Sequence, residues 1–145
     1  MQMATAYAAI ANGGTLRPPH VVAAVGSRPR ALPRARRVIS QATAASLRSM
    51  LEGVLGPGGT ASGAAIDGYV LAGKTGTAQK PIPGGYSKDK YVASFVGFAP
   101  ANHPRLLALV MVDEPKGQIY GGQVAAPAWR KIISFALNYL KIPPG

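Results

Sequence analysis

The sequence predicts an α+β fold in which helices cover a small antiparallel sheet. Three observations predict this fold class. An extended apolar stretch runs through Tyr69–Thr77, a turn separates two further apolar stretches at Tyr91–Ala99 and Arg105–Val112, and the residues after Pro127 have the apolar spacing of a helix. With 145 residues and an apolar content of 48%, the chain is large enough to bury a core.

Two helices are predicted in the first 60 residues. The first runs from Gln2 to Asn12, and the Gly13-Gly14 pair ends it. The second begins after Ser40, whose side chain can cap it, and continues to about Leu55. Apolar residues at helical spacing predict the buried face of each helix: Met3, Tyr7 and Ile10 in the first, and Ala44, Leu47, Met50, Leu51 and Val54 in the second.

The segment between these helices is rich in Pro and Arg, with short strands predicted at Val21–Val25 and Val38–Ile39. The net charge of the chain is +11, and seven arginines lie in its first third: Arg17, Arg28, Arg30, Arg34, Arg36, Arg37 and Arg48. Such a cluster can contact nucleic acid, anionic lipid or another anionic polymer. Because no aromatic residue lies between Tyr7 and Tyr69 to stack on bases, a solvated loop is the preferred interpretation and no nucleic-acid partner is expected.

The second half of the chain is predicted to contain the sheet and the last helix. The strand Tyr69–Thr77 leads into a loop at Lys80–Lys90 and then into the hairpin. Asp113 and Glu114 end the hairpin on opposite faces, which does not make an acid/base pair. Pro127 opens the last helix. Its buried stripe is predicted to contain Trp129, Ile132, Ile133, Ala136, Leu137 and Leu140.

The stretch Gly68–Thr77 matches two motifs that imply different functions. Its first eight residues fit G-x-x-x-x-G-K-[ST], the phosphate-binding P-loop. A P-loop requires a strand before its first Gly and a helix at its Lys. Here residues 58–67 are small and Gly-rich, and Gly76 and the prolines that follow oppose a helix. The apolar run Leu106–Asp113, which resembles a Walker-B strand, is typical of any buried strand, so a nucleotide hydrolase stays only a remote alternative.

The last four residues of that stretch, Lys74-Thr75-Gly76-Thr77, form the K-T-G-T box of serine enzymes that bind penicillin. On a strand, Thr75 and Thr77 share one face, and Lys74 and Gly76 share the other. Two hydroxyls and a nearby ammonium can hold a small carboxylate. Gly76 leaves room for a ligand alongside the strand. These residues are the candidate site.

The chain as a whole resembles the C-terminal part of the transpeptidase domain of class B penicillin-binding proteins, the division-type enzymes above all. The resemblance covers nearly all 145 residues and rests on five segments in order: Gln2–Gly14, Gly58–Ala61, Ala72–Gln79, Ser94–Pro100 and Tyr120–Pro127. It implies a partial domain spanning residues 1–145. This would be a fragment of the penicillin-binding/serine β-lactamase-like fold, with the K-T-G strand and a hairpin covered by helices.

Two motifs of that family are missing from their usual place. No S-x-N occurs in the chain, and the one S-x-x-K, Ser87–Lys90, lies downstream of the box in the predicted loop, where it is interpreted as a chance match. The nucleophile-bearing part is therefore expected to lie outside this chain, and the chain alone is expected to be inactive. A non-catalytic interaction protein of the same fold remains the alternative. A D,D-carboxypeptidase, a β-lactamase and a penicillin-sensing receptor also share the K-T-G box.

The resemblance implies roles for the candidate residues in an intact D,D-transpeptidase. Thr75 and Thr77 would hold the terminal carboxylate of a peptidoglycan stem peptide ending in D-Ala-D-Ala, or of a β-lactam antibiotic, with Gly76 between them. Lys74 would supply positive potential and support proton transfer, and the Thr77 N–H would be one oxyanion donor. Cell-division and cell-wall synthesis proteins would be partners of the full-length form.

No cofactor and no metal are expected. The chain has no Cys, and His20 and His103 stand beside prolines with no third ligand at metal spacing. No run of 18 apolar residues and no signal segment is found, so no membrane span is expected within the chain. The resemblance implies the extracytoplasmic face of a bacterial cell membrane, with the anchor outside this chain.

Overall fold

Three long antiparallel strands form the centre of the fold, and helices pack on both of their faces. The structure is a computed structural model that describes residues 1–144. In chain order its elements are α1 (Gln2–Ala11), β1 (Thr15–Leu16), β2 (Ala24–Val25), β3 (Arg28–Pro29), β4 (Arg36–Arg37), α2 (Gln41–Glu52), a 3₁₀ turn (Ser62–Ala64), β5 (Ala72–Ile82), β6 (Gly85–Ala99), β7 (Leu106–Asp113), α3 (Gly121–Val124) and α4 (Ala126–Tyr139). The predicted α+β class with an antiparallel sheet is confirmed.

The central sheet has the order β5-β6-β7, so the strand with the K-T-G-T box lies at one edge. Thr75 pairs with Phe95, and Thr77 pairs with Ala93. The register shifts between Gln79 and Pro81, as expected where a proline cannot donate to the ladder. Two small antiparallel pairs, β1 with β4 and β2 with β3, stand apart from this sheet.

The two faces of β6 bury different aromatic residues because side chains alternate along a strand. Phe95 lies in one cluster with Trp129 and Ile133 of α4, whereas Phe98 lies in a second cluster with Leu51 of α2. Trp129 is fully buried, and its ring meets Phe95 edge-on with centroids 5.0 Å apart. Its indole N–H donates to the carbonyl of Gly97 at 3.3 Å. The predicted core position of this tryptophan is confirmed.

Glycines let α4 approach the sheet this closely. A Cβ on Gly97 would lie 2.7 Å from the indole ring of Trp129 and 2.9 Å from the carbonyl of Ala72. A Cβ on Gly73, its partner across the ladder, would lie 2.5 Å from the ring of Phe95. Any larger residue would push the helix off the strands, because the core around the ring is already filled.

Both helices predicted in the first 60 residues form, but one boundary and the burial of two residues, Met3 and Met50, differ from the prediction; Met3 is 47% exposed. α1 ends at Ala11, and the Ser40 hydroxyl caps α2 by accepting the Thr43 N–H at 3.0 Å. α2 ends at Glu52 rather than at Leu55, because the chain turns at Gly53. Met50 was predicted to be buried but is 71% exposed. Only the side of α2 that carries Ala44 and Leu51 contacts the rest of the chain closely.

The basic segment forms less structure than predicted. Only Ala24–Val25 of the predicted Val21–Val25 strand is paired. The predicted strand at Val38–Ile39 is wrong, since the pairing falls two residues earlier, in β4. Arg37 explains the shift, because its guanidinium donates to the carbonyls of Gly13 and Ile39 and so ties this segment to the end of α1. The remaining residues of the segment are largely exposed.

The boundaries around the K-T-G-T box differ from those predicted. The strand begins at Ala72 rather than at Tyr69 and continues to Ile82. Tyr69 instead donates its phenolic O–H to the carbonyl of Ile142 at 2.6 Å, which ties the approach to β5 to the chain after α4. The predicted loop at Lys80–Lys90 is wrong: β5 and β6 continue as a hairpin with a tight turn at Gly84, whose φ is +83°.

The last helix buries one half of its predicted stripe. Trp129, Ile133 and Leu137 are at most 2% exposed, whereas Ile132 and Leu140 are 51% and 54% exposed, against the prediction. The three residues spaced four apart, Trp129, Ile133 and Leu137, are therefore the ones that contact the sheet. Phe135 and Tyr139 stack on each other on the exposed side, with ring centroids 5.8 Å apart. This side of α4 therefore presents an exposed apolar surface.

A cluster of charges joins the two outer strands across β6. Lys80 on β5 contacts Asp113 and Glu114 at the end of β7, each at 2.9 Å. The prediction that these carboxylates point to opposite faces is wrong, because Glu114 has a φ of +48° and turns its side chain back. The hydrogen bonds that Lys80 donates to Asp113 and Glu114 raise the pKa of Lys80, and the bond that Glu114 accepts lowers the pKa of Glu114 from its ordinary 4.5.

This cluster predicts a loss of stability in acid. A carboxyl group whose pKa is lowered by folding stabilises the folded state above its unfolded pKa, and that stability is lost as the pH falls through the folded pKa. We therefore expect the free energy of unfolding to decrease as the pH falls below about 4.5. In Glu114→Gln this decrease should be smaller. Urea denaturation at a series of pH values measures it, with Glu52→Gln on α2 as the control; equal pH dependence in both variants would contradict the assignment.

The contact between α4 and the sheet predicts a steric effect at Gly97. Gly97→Ala should lower the free energy of unfolding by about 1–3 kcal/mol, because the methyl group overlaps the indole ring and a backbone carbonyl. Gly63→Ala is the matched control, since a Cβ there has no atom within 4 Å, and it should change the free energy by less than about 0.5 kcal/mol. Chemical denaturation of both variants tests this, and equal effects would refute the packing argument.

Candidate functional site

An open cavity of about 270 Å³ lies against the edge strand β5. Three parts of the chain form it: the strand itself, the loop between α2 and β5, and the turn that enters α3. The residues that line it are Thr60, Thr75, Thr77, Tyr120, Gly121, Gly122 and Gln123. Hydroxyls, backbone amides and one phenol thus surround the cavity, and no carboxylate is among the lining residues.

Strand alternation brings Thr75 and Thr77 into this cavity together, as predicted. The Thr75 hydroxyl lies 3.3 Å from the hydroxyl of Thr60. The Thr77 hydroxyl accepts the backbone N–H of Gly121 at 3.2 Å. Because β5 is an edge strand, the side of its backbone away from β6 has no neighbouring strand among residues 1–144. Both hydroxyls therefore stand beside an open strand edge.

Lys74 and Gly76 lie on the other face of β5. Lys74 is exposed, and its ammonium donates to the carbonyl of Thr75 at 3.0 Å. Lys74 does not line the cavity, so its catalytic role stays a prediction. The structure gives a different reason for a glycine at position 76: a Cβ there would overlap Ser94 Oγ on the neighbouring strand. The space beside Gly76 on this face is filled by protein.

Two glycines at the start of α3 let this short helix pack directly on the strands. A Cβ on Gly121 would overlap the carbonyl oxygen of Ser94 and lie 2.5 Å from that of Gly76. A Cβ on Gly122 would overlap the carbonyl of Thr60 and lie 3.3 Å from the Thr75 methyl group. These contacts bring the Gly121 N–H within reach of the Thr77 hydroxyl. The start of α3 is thus part of the cavity wall because both residues lack side chains.

Ser87, the serine of the one S-x-x-K match, does not contribute to this cavity. It lies on β6 and is 4% exposed. Its hydroxyl donates to the carboxylate of Asp89 at 2.6 Å and accepts the N–H of Lys90 at 3.0 Å. The hydrogen bond from Ser87 also lowers the pKa of Asp89. The hydroxyl is thus used in local hydrogen bonds within β6, and Ser87 does not line the cavity.

The structure also decides against the P-loop interpretation. β5 runs through Lys74 and Thr75, and no helix begins there, so the amide cradle of a phosphate site does not form. Residues 68–71, which would form the loop, lead directly into the strand. Across residues 1–144, no group of three His, Cys, Asp or Glu side chains is arranged to hold a metal ion.

Sequence reasoning missed five residues that line the cavity: Thr60, Tyr120, Gly121, Gly122 and Gln123. The segments Gly58–Ala61 and Tyr120–Pro127 were recognised only as features of a family resemblance. Their role depends on contacts with β5 from 15 and 44 positions away along the chain. The available signal was the glycine pair itself, since adjacent glycines outside a turn sequence indicate a close backbone approach.

The comparisons with known proteins agree with this geometry. The family described as the penicillin binding protein transpeptidase domain matches residues 1–134. The chain belongs to this family. The resemblance expected from the sequence, to class B penicillin-binding proteins of the division type, is confirmed. A probable peptidoglycan D,D-transpeptidase, PenA of Neisseria gonorrhoeae, is 39% identical over 145 residues; the match covers 99% of this chain and 24% of PenA.

Solved penicillin-binding protein structures have the same fold. The apo transpeptidase domain of Burkholderia pseudomallei penicillin-binding protein 3 is 44% identical, with a TM-score of 0.83, over 99% of this chain and 43% of that one. Penicillin-binding protein 3 of Mycobacterium tuberculosis, complexed with aztreonam, is 34% identical with a TM-score of 0.88, over 99% of this chain and 36% of that one. The chain thus spans about a quarter of PenA and less than half of the solved domain.

Among residues 1–144, no helix is both long enough and apolar enough to cross a membrane.

The close packing of Gly121 at the start of α3 predicts that the site is sensitive to one methyl group. Gly121→Ala should displace the start of α3, because the new Cβ overlaps backbone oxygens that cannot rotate away. We expect a loss of about 1–3 kcal/mol in the free energy of unfolding, together with a shift of the Thr77 amide resonance as its hydroxyl loses the Gly121 N–H. Gly56→Ala is the control, since a Cβ there would have its nearest neighbours at 3.7 Å. Unchanged Thr77 resonances would contradict the prediction.

Proposed function

We propose that this chain supplies the carboxylate-binding wall of a peptidoglycan D,D-transpeptidase, and that β-lactam antibiotics bind the same wall. One observation carries the proposal: Thr75 and Thr77 present two hydroxyls to one cavity on an open strand edge. An anion with two oxygens can accept a hydrogen bond from each hydroxyl, and such charge-assisted bonds are the strong ones. The absence of carboxylates from the cavity lining favours an anionic guest.

The substrate is a stem peptide ending in D-Ala-D-Ala. Its terminal carboxylate binds the two threonines, and its backbone adds alongside β5 as an extra strand would. In the reaction, a serine attacks the penultimate D-Ala carbonyl, the terminal D-Ala leaves as an amine, and the amine of a neighbouring stem peptide takes the acyl group. The Thr77 N–H is one oxyanion donor, and deletion of such a donor costs about 3 kcal/mol in an acyl-transfer enzyme. Lys74 adds positive potential beside the strand.

The reacting serine belongs to a part of the domain that this chain does not include. Residues 1–145 then form the C-terminal portion of the transpeptidase domain, which accords with the 43% of the Burkholderia pseudomallei domain that the chain covers. A place in the cell membrane, facing the cell wall, and partners from the cell-division apparatus accord with the division-type relatives. The aztreonam complex of the Mycobacterium tuberculosis relative supports the β-lactam part of the proposal.

A chimera tests the proposal. In this chimera, the complete chain replaces the corresponding segment of the Burkholderia pseudomallei transpeptidase domain. That domain keeps its own serine-bearing part. The readout is the rate of acylation by a fluorescent penicillin. The unsubstituted chimera should be labelled. Thr77→Val and Thr75→Val should each slow labelling by about 10- to 100-fold, since a hydrogen bond to a charged group contributes about 1.5–3 kcal/mol. Lys74→Ala should slow it as well.

Thr5→Val, on α1 and outside the cavity, is the matched control and should leave the rate unchanged. The melting temperature of each variant separates a folding defect from a binding defect. A folded chimera that penicillin does not label would refute the proposed activity and would favour a non-catalytic interaction protein. Full-rate labelling of the folded Thr75→Val and Thr77→Val variants would refute the site assignment.

A further inference from the structure

Thr60 stands beside the two threonines of the carboxylate site although it comes from a different part of the chain. It lies in the loop between α2 and β5, and its hydroxyl is 3.3 Å from that of Thr75. The loop is anchored at this point, because the N–H of the next residue, Ala61, donates to the carbonyl of Val54 at 2.9 Å and Ala61 is only 3% exposed. The Thr60 carbonyl packs on Gly122 from the other side. The backbone of Thr60 is therefore held in place at the cavity wall.

If the Thr60 hydroxyl donates to the Thr75 hydroxyl, Thr75 and Thr77 are alike. Each hydroxyl then accepts one hydrogen bond from the protein and keeps its own proton for a ligand. A threonine hydroxyl has one proton to donate and two lone pairs to accept with. Thr77 accepts the Gly121 N–H, which leaves its own proton for a ligand. Thr75 has no comparable backbone donor among its hydrogen bonds, and the hydroxyl of Thr60 is its side-chain partner. When Thr60 donates, Thr75 is likewise left with a proton directed to a ligand.

We propose that Thr60 is a positioning residue that sets Thr75 as a hydrogen-bond donor to the bound carboxylate. The inference rests on the proposed function. A carboxylate can only accept hydrogen bonds, and a charged acceptor competes better for a hydroxyl proton than a neutral one does. With the anion in place, the Thr75 proton goes to the anion, and Thr60 donates to the lone pair of Thr75. Thr60 thus acts through Thr75 and does not need to touch the ligand.

In this arrangement, the hydroxyls of Thr75 and Thr77 have different kinds of hydrogen-bond partner. Thr77 is supported by a main-chain N–H, which no side-chain substitution at residue 121 removes directly. Thr75 is supported by a side chain, which a single substitution removes. The binding strength of the carboxylate site is therefore adjustable at residue 60 without any change in the K-T-G-T box itself.

The test is a double-mutant cycle in the chimera that carries the complete chain, with the rate of acylation by fluorescent penicillin as the readout. Thr60→Val should slow acylation by about 2- to 10-fold, the range expected for one neutral hydrogen bond. Thr60→Ser retains the hydroxyl and should restore most of the rate. In a Thr75→Val background, Thr60→Val should slow acylation by less than about 2-fold, because the group it supports is gone. Ser62→Ala, in the same loop but outside the cavity lining, should have no effect.

The outcomes are distinguishable. An unchanged rate in Thr60→Val would overturn the inference while leaving the proposed function intact. An equal slowing with and without the Thr75 hydroxyl would also overturn it, because a loop defect adds to the loss of Thr75 and does not depend on it. Failure of Thr60→Ser to restore the rate counts against it in the same way. A folded chimera that penicillin does not label at all would overturn the proposed function and this inference with it.

Discussion

The pairing of β5 with β6 is the constraint on which the rest of the site depends. In the observed register Thr75 is opposite Phe95, which places both threonines on the face where α4 and α3 pack. A slip of one residue would turn Lys74 and Gly76 into the cavity and the threonines away from it. The residues beneath the strands help to fix this register, because the Trp129 ring packs over Gly97 and the Phe95 ring packs over Gly73, where the strands carry no side chain. A contact in the core thus decides which side chains face the cavity.

Close contact between backbone segments is the second condition for the site. It explains how an open cavity can have hydrogen-bond donors in fixed positions. Gly121, the first residue of α3, lies against the carbonyls of Ser94 and Gly76, so its amide has little freedom to move. The loop that carries Thr60 is held by its own hydrogen bond to Val54 and by packing on Gly122. Three segments that are remote in the chain therefore meet with their polar groups already oriented. Such preorganisation lowers the ordering cost that binding would otherwise include.

Local sequence patterns correctly predicted the features that depend only on neighbouring residues. Alternation along a strand correctly separated Thr75 and Thr77 from Lys74 and Gly76, and the cap at Ser40 followed from its side chain alone. Errors arose where tertiary contacts decide. The glycines and prolines at 81–85 signalled a loop, but only a tight turn at Gly84 is needed and the flanking residues pair. Ile132 fits the helical stripe, yet it is 51% exposed, because only the row with Trp129, Ile133 and Leu137 faces the sheet. Thr60 carried no pattern, because its partner is 15 residues away.

The contrast between a main-chain and a side-chain support has a consequence for how such a site evolves. Around Thr75, drift can proceed in small steps, since exchanging Thr60 for Ser, Ala or Val alters one atom or one hydrogen bond at a time. Around Thr77, no small step exists, because any residue larger than glycine at position 121 must displace the chain. Selection on the affinity for a carboxylate ligand would therefore act gradually on one side of the cavity and abruptly on the other.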